Sequence, residues 1–226
     1  PTFAAFRRPG GLLRSLLLHR VTAPSAEAHV FVLGPPRSGT TLLQSLITAH
    51  PDYGGFDGET FFFCKRRLDG LAYGPLDATI YADMFRRARD KVALFDAIAA
   101  FFRRHEGCRV FVEKTPEHAL HLDDLLRWFP ASRFVFIHRD GRDGYLSARR
   151  NPQFWHKVGR NYSALWRDSM TAFLDRGEDG HRVYDLRYEA LCRDPVDQMR
   201  RLMSWLGAEW DARQLEPARY AGHVTA

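Results

Sequence analysis

Lysine is nearly absent from this chain. Of 33 basic residues only Lys65, Lys91, Lys114 and Lys157 are lysines, and the rest are arginine. Arginine's planar fork suits bidentate contact with phosphate, whereas lysine is a compact point charge. The few lysines therefore stand out, Lys114 above all. Cysteine is also scarce: Cys64, Cys108 and Cys192 are isolated, odd in number, and form no C-x-x-C pair. That argues against a disulfide framework or a zinc ribbon and favours a reducing compartment, so a cytoplasmic location is expected. The ten histidines contain no H-x-x-x-H or H-E-x-x-H pair, and no acidic cluster has Mg²⁺ spacing, so no metal is expected. No apolar run is long enough to cross a bilayer. Leu12-Leu13 and Leu16-Leu17-Leu18 are interrupted by Arg14 and end at His19-Arg20, which reads as a short amphipathic helix and not a signal peptide. Stable membrane insertion is not expected, although an anchor upstream of residue 1 stays open. No block of five like charges occurs, which argues against nucleic acid as a partner.

What is present is enough for one domain with a substantial core: 226 residues, 45% hydrophobic and 13% aromatic. A net charge of +6 suits an anionic ligand, and is equally compatible with a plain solvated surface. Short apolar runs at 29–33, 109–113, 133–137 and 181–186 are rich in β-branched and aromatic residues. Such runs suit strands buried on both faces of a parallel sheet. Helical patterns lie between them: two in 76–105, one in 116–128, a long one in 155–176, and one that Asp194-Pro195 opens and Gly207 closes. In the long one, Trp155, Val158, Tyr162, Leu165, Trp166 and Phe173 form a stripe that reads as core packing. Strands alternating with helices give an α/β fold. The expectation is a single P-loop-like domain over 29–226, with a central, mainly parallel sheet flanked by helices, preceded by a helix and linker over 1–28.

The segment Gly34-Pro35-Pro36-Arg37-Ser38-Gly39-Thr40-Thr41 follows the first apolar run and opens a helix. Backbone N–H groups at such a turn converge on an anion, and the helix dipole favours negative charge there. The loop has the length of a Walker A motif, G-x-x-x-x-G-K-[ST], but its lysine position holds Thr40 and its one cation is Arg37. A nucleotide triphosphatase places that lysine on the β- and γ-phosphates, so the cradle serves something other than ordinary ATP or GTP hydrolysis. Ligands of open α/β sheets sit at the carboxyl ends of the strands. Here those ends carry Glu113-Lys114-Thr115-Pro116, His138-Arg139-Asp140 and Arg187-Tyr188-Glu189. Cations at several strand ends suit a ligand with more than one anionic group.

PPRSGTT after a strand resembles the 5′-phosphosulfate loop of sulfotransferases that use 3′-phosphoadenosine 5′-phosphosulfate (PAPS). Phe136-Ile-His-Arg139-Asp-Gly-Arg-Asp-Gly-Tyr-Leu-Ser147 resembles their 3′-phosphate motif, and Leu186-Arg187-Tyr188-Glu189 a third element that sets a tyrosine near the adenine. The resemblance runs from about His29 to Leu206. It is nearest to the tyrosylprotein sulfotransferases and their bacterial relatives, where PRSGTTL is followed by His-Pro-Asp and then Gly-Glu-Glu-Thr-Arg. This chain has His50-Pro51-Asp52 and Gly58-Glu59-Thr60-Phe61, so Phe61 stands at the arginine, a difference that bears on the acceptor. The resemblance implies Arg37, Ser38, Gly39, Thr40 and Thr41 on the 5′-phosphate, Arg139 and Ser147 on the 3′-phosphate, and Tyr188 at the adenine. It implies Glu59 as the base and Lys114 on the transferring sulfonate, with PAP as product. His118 is the runner-up base, because other branches use histidine. Many members also carry a basic, glycine-containing segment over the nucleotide near the C-terminus, which the tail from Arg219 to Ala226 does not clearly supply.

The implied reaction is an in-line displacement at sulfur by an acceptor oxygen or nitrogen, which needs positioning and charge stabilisation more than covalent catalysis. The acceptor is expected to bear a hydroxyl and could be a small molecule, carbohydrate, lipid or peptide. Two other classes stay open: a P-loop small-molecule kinase, which would need a lysine at Thr40 and a metal-binding acid, and a non-catalytic PAP-binding protein, which would need neither Glu59 nor Lys114.

Overall fold

A computed structural model describes residues 10–216. Five strands, β1 (Val30–Leu33), β2 (Tyr53–Gly55), β3 (Val110–Lys114), β4 (Arg133–His138) and β5 (Val183–Arg187), form one parallel sheet in the order β2-β3-β1-β4-β5. Around it run α1 (Gly11–Leu18), α2 (Thr40–Thr48), α3 (Ala78–Arg87), α4 (Lys91–Glu106), α5 (Leu122–Trp128), α6 (Gly141–Arg149), α7 (Pro152–Val158), α8 (Tyr162–Leu174), α9 (Tyr188–Arg193) and α10 (Pro195–Leu206). The fold is the expected P-loop-like α/β class. The tail from Arg219 lies outside the described residues.

Alternation along the strands divides the core in two. Phe31, Phe111, Phe134 and Phe136 face one side, where Phe95 and Phe102 of α4, Leu125 of α5 and Phe173 of α8 cover them. Val30, Val32, Val112, Val135 and Ile137 face the other, under Leu43 and Ile47 of α2 and Met199 and Leu202 of α10. One face is thus packed by aromatic rings and the other by aliphatic chains. β1 is buried along its whole length, as a central parallel strand must be.

The sequence reading missed β2. Its three residues are Tyr53-Gly54-Gly55, with none of the β-branched content that marks a strand. The glycine is needed there: a Cβ on Gly55 would lie 2.2 Å from the Val112 carbonyl oxygen. Two helices also differ from expectation. The 116–128 segment begins as a 3₁₀ turn, Pro116–His121, before α5. The long 155–176 helix is broken at Gly159 (φ 37) into α7 and α8, joined by a 3₁₀ turn, Gly159–Asn161. The start of α10 follows the sequence: Asp194 caps it by accepting from the Asp197 amide, Pro195 is its first residue and Gly207 ends it at φ 83.

From β1 the chain passes through α2 to β2 at the far edge of the sheet, while from β4 it passes through α6 to α8 out to β5. The connections leave adjacent strands in opposite directions. A crevice forms at such a switch point, at the carboxyl ends of β1 and β4.

Candidate active site

The β1–α2 loop, residues 34–39, forms one wall of that crevice. Gly39 is the N-cap of α2 in a left-handed conformation (φ 93). A Cβ there would lie 2.4 Å from Cδ2 of Tyr188, so the loop packs against the start of α9 only because it has glycine. Arg37 also adopts a left-handed backbone (φ 67), which is uncommon for a non-glycine residue. No side chain caps α2, which leaves its first amides open, the arrangement that suits an anion. Ser38 Oγ is buried and has no hydrogen-bond partner among the described residues.

The second wall is the end of β4. Arg139 places its guanidinium 4.6 Å from the centre of the Tyr188 ring, and its buried Nε has no hydrogen-bond partner among the described residues. Ser147 lies on α6, and Arg37 Nε donates to its hydroxyl at 3.3 Å. The structure therefore brings Arg37, Ser38, Gly39, Arg139, Ser147 and Tyr188 to one crevice, with Thr40 and Thr41 in the first turn of α2. Ser147 bonds Arg37 here, and not Arg139. Beside Arg139 opens a cleft of about 970 Å³ lined by Tyr145, Leu146, Tyr162, Trp166 and Arg187. A hollow of about 1040 Å³ between α1 and α3 contains none of these residues.

The stripe on α8 proves to be more than core packing. Tyr162 donates its hydroxyl proton to the Pro36 carbonyl at 3.0 Å, and Trp166 Nε1–H donates to the Arg139 carbonyl at 3.2 Å. One helix thus holds both walls, from positions i and i+4 on the same face. Gly144 makes room for the first contact, since a Cβ there would lie 2.1 Å from the Tyr162 oxygen. Burial pushes the Tyr162 hydroxyl up to about 12, so it remains a donor at neutral pH. Glu189 completes the second wall by accepting from the Asp140 amide at 2.9 Å.

The other candidates lie across β1, at the ends of β2 and β3. Lys114, the last residue of β3, is 4% exposed and pairs its ammonium with Glu59 at 3.3 Å; Glu59 is 32% exposed. Carboxylate and ammonium therefore face each other, with the carboxylate accessible from outside. His118 is placed differently from a base. It is fully buried, its Nδ1 lies 2.9 Å from Glu113 Oε2, and its Nε2 accepts from the Phe63 amide at 3.2 Å. Both ring nitrogens are engaged, so no lone pair is left for an acceptor proton. Burial alone would raise the Glu113 carboxyl, but the His118 ring and hydrogen bonds from His118, Thr115 and Thr60 hold it below the ordinary carboxylate range. Glu117 goes the other way: burial pushes its carboxyl up, and the Glu59 charge adds to the effect. Among the described residues, no group of three His, Cys, Asp or Glu could hold a metal ion.

Glu113, Tyr162 and Trp166 were missed as site residues. Glu113 had a signal, its place beside Lys114 at a strand end. The two aromatics had none, because a hydrogen bond from a helix stripe to a distant loop carbonyl leaves no local pattern.

A parallel sheet with a glycine loop opening onto a helix without a side-chain cap defines a P-loop-like α/β fold. Residues 29–212 match the family model described as "Sulfotransferase family", and the chain belongs to that family. A putative protein-tyrosine sulfotransferase of Caenorhabditis briggsae is 26% identical over 199 residues, covering 84% of this chain and 69% of that protein. The sulfotransferase domain from the curacin biosynthetic pathway superposes with a TM-score of 0.67 at 20% identity, over 87% of this chain and 78% of that one. A mouse sulfotransferase solved with PAP superposes with a TM-score of 0.52 at 15% identity, over 93% and 68%. The two structural likenesses concern the fold.

Proposed function

We propose that the chain transfers a sulfonate group from PAPS to a hydroxyl-bearing acceptor and releases PAP. One observation carries this reading. Two buried polar groups, Ser38 Oγ and Arg139 Nε, flank the β1–β4 crevice without hydrogen-bond partners among the described residues. An unmade buried hydrogen bond is costly, and a nucleotide with phosphates at both ends of its ribose would satisfy both. Family membership supports the choice of sulfonate over phosphoryl transfer, as does Thr40 at the Walker lysine position.

When bound, PAPS supplies an activated sulfonate on its 5′-phosphate. Arg37 and the amides of Ser38 to Thr41 bind that phosphate. Arg139 and Ser147 bind the 3′-phosphate, and the Arg37–Ser147 hydrogen bond ties the two subsites together. Tyr188 packs near the adenine, wedged between Gly39 and Arg139. Lys114 and Arg37 neutralise the charge that grows on the bridging oxygen as the sulfonate leaves. Glu59 takes the acceptor proton, a role supported by its exposure and its neighbour Lys114. His118, with both nitrogens engaged, supports the fold of the site. A protein-tyrosine acceptor, named for one relative, fits less well, because Phe61 replaces an arginine typical of that branch.

The test is nucleotide choice. PAP should raise the melting temperature well beyond ADP, which lacks the 3′-phosphate. A ligand at ~100 times its dissociation constant adds about 2.7 kcal/mol to stability. Equal shifts from PAP and ADP, or a preference for Mg²⁺-ATP, would contradict the reading.

A further inference from the structure

Three consecutive backbone amides follow the candidate base, and each donates to a different side chain. Phe61 N–H donates to Thr115 Oγ1 at 3.1 Å, Phe62 N–H to Thr60 Oγ1 at 3.2 Å, and Phe63 N–H to His118 Nε2 at 3.2 Å. Those three side chains converge on one carboxylate. Thr60 and Thr115 both donate their hydroxyl protons to Glu113 Oε1 at 2.7 Å, and His118 Nδ1 lies 2.9 Å from Oε2. Because Nε2 accepts from an amide, the ring proton is on Nδ1 and is donated to Glu113. The direction of every bond is thereby fixed: amide to relay, relay to carboxylate.

We infer that Glu113 is a positioning residue for sulfonate transfer, acting through Thr60, Thr115 and His118 to hold the turn after Glu59 and so to aim that carboxylate at the acceptor. This rests on the reading of Glu59 as the base. Several features separate the arrangement from ordinary packing. The turn contains Phe61 at φ 50, a left-handed conformation that costs energy for a bulky residue and persists only where the surroundings enforce it. Glu113 is 1% exposed. Burying a carboxylate is expensive, and apolar residues of the same volume commonly give equal or better stability. A charged hub gives direction instead: it accepts at three points and cannot be satisfied by a shifted turn. The next residue along β3 is Lys114, which pairs with Glu59. One strand end therefore holds both the turn that carries the base and the cation that faces it.

Glu113→Gln tests the relay, because the change is nearly isosteric but turns one oxygen into a donor. Facing His118, that NH₂ would meet the Nδ1 proton. Flipping the ring proton to Nε2 would only move the clash to the Phe63 amide. The experiment is a double-mutant cycle of Glu113→Gln and Glu59→Gln. It reads turnover with a phenol acceptor below its pKa, alongside PAP affinity by calorimetry. A small displacement of a catalytic group can cost about 10²-fold, so Glu113→Gln should lower kcat by about that factor, with PAP affinity unchanged. In the Glu59→Gln background the same substitution should cost little, because the base it positions is already gone. If Glu59→Gln is impaired but Glu113→Gln costs the same factor in both backgrounds, the relay is wrong and the base assignment stands. If Glu59→Gln alone keeps full turnover, the base assignment fails and the relay with it. Should Glu113→Gln not fold, Thr115→Val removes one arm; it should show the same coupling at smaller size, and additivity there overturns the inference equally.

Discussion

The two halves of the sheet's carboxyl edge are built on opposite plans. On the β1–β4–β5 side, Ser38 Oγ and Arg139 Nε are buried without hydrogen-bond partners among the described residues, and α2 lacks a side-chain cap. On the β2–β3 side, Glu113 holds three partners, His118 uses both nitrogens, and the amides of Phe61 to Phe63 are all taken. The first half leaves polar groups unpartnered among the described residues, as the proposed nucleotide site requires. In the second the network around Glu113 is fully engaged, although the neighbouring Glu117 Oε2 has no partner among the described residues, and one carboxylate, Glu59, is exposed against one lysine. Binding needs donors left open for the ligand, whereas proton removal needs a group held still before the acceptor comes. Both halves meet at β1.

Substitutions should separate the halves. The largest effect is expected from Glu59→Gln, which keeps shape but cannot take a proton. Turnover should fall by ~10²–10⁴, the usual worth of general base catalysis, while calorimetric PAP affinity stays within error. A nitrophenolate acceptor above its pKa should restore much of the loss. If PAP affinity collapsed as well, the division would be false. Next, Arg139→Ala should weaken PAP by roughly 2–4 kcal/mol and leave ADP almost unchanged, from charge-assisted hydrogen bonds worth about 1.5–3 kcal/mol each. Equal weakening of both nucleotides would place Arg139 somewhere other than the 3′-phosphate. The smallest effect is expected from Tyr162→Phe, which removes the hydrogen bond to the Pro36 carbonyl. A single such bond is worth about 1 kcal/mol net, so PAP should weaken several-fold with kcat preserved. A Tyr162→Phe variant with normal PAP affinity would show that α8 does not brace the loop.

The sequence exposed the phosphate-loop half, and of the other half it showed Glu59 and Lys114 but not the network behind them, for a physical reason. A phosphate loop is local: strand, glycine turn and helix start are consecutive, and each residue type is dictated by backbone geometry. Gly39 must be glycine for its left-handed φ of 93, and that constraint is readable in place. Four of the five strands were legible as apolar runs for the same reason. The β2–β3 half depends on pairs far apart in sequence, such as Thr60 with Glu113 and Phe63 with His118, and on β2, whose two glycines carry no strand signature. Glu113 showed only as a strand-end neighbour of Lys114, and His118 as a runner-up base, because sequence records neither burial nor the direction of a hydrogen bond. Gly159 broke a helix whose stripe looked continuous. The same stripe carried two hydrogen bonds to the crevice, which an apolar periodicity cannot register.

The contrast between the halves is tested most directly by amide hydrogen exchange, which reports local opening on slow timescales, in the free protein and with saturating PAP. The account predicts that the amides of Ser38 to Thr41 exchange readily in the free protein and become strongly protected by PAP. The amides of Phe61, Phe62 and Phe63 should be protected already and change little. Protection of 61–63 appearing only when PAP binds, or loop amides already protected without it, would contradict the division into a half that waits for its ligand and a half that is set beforehand.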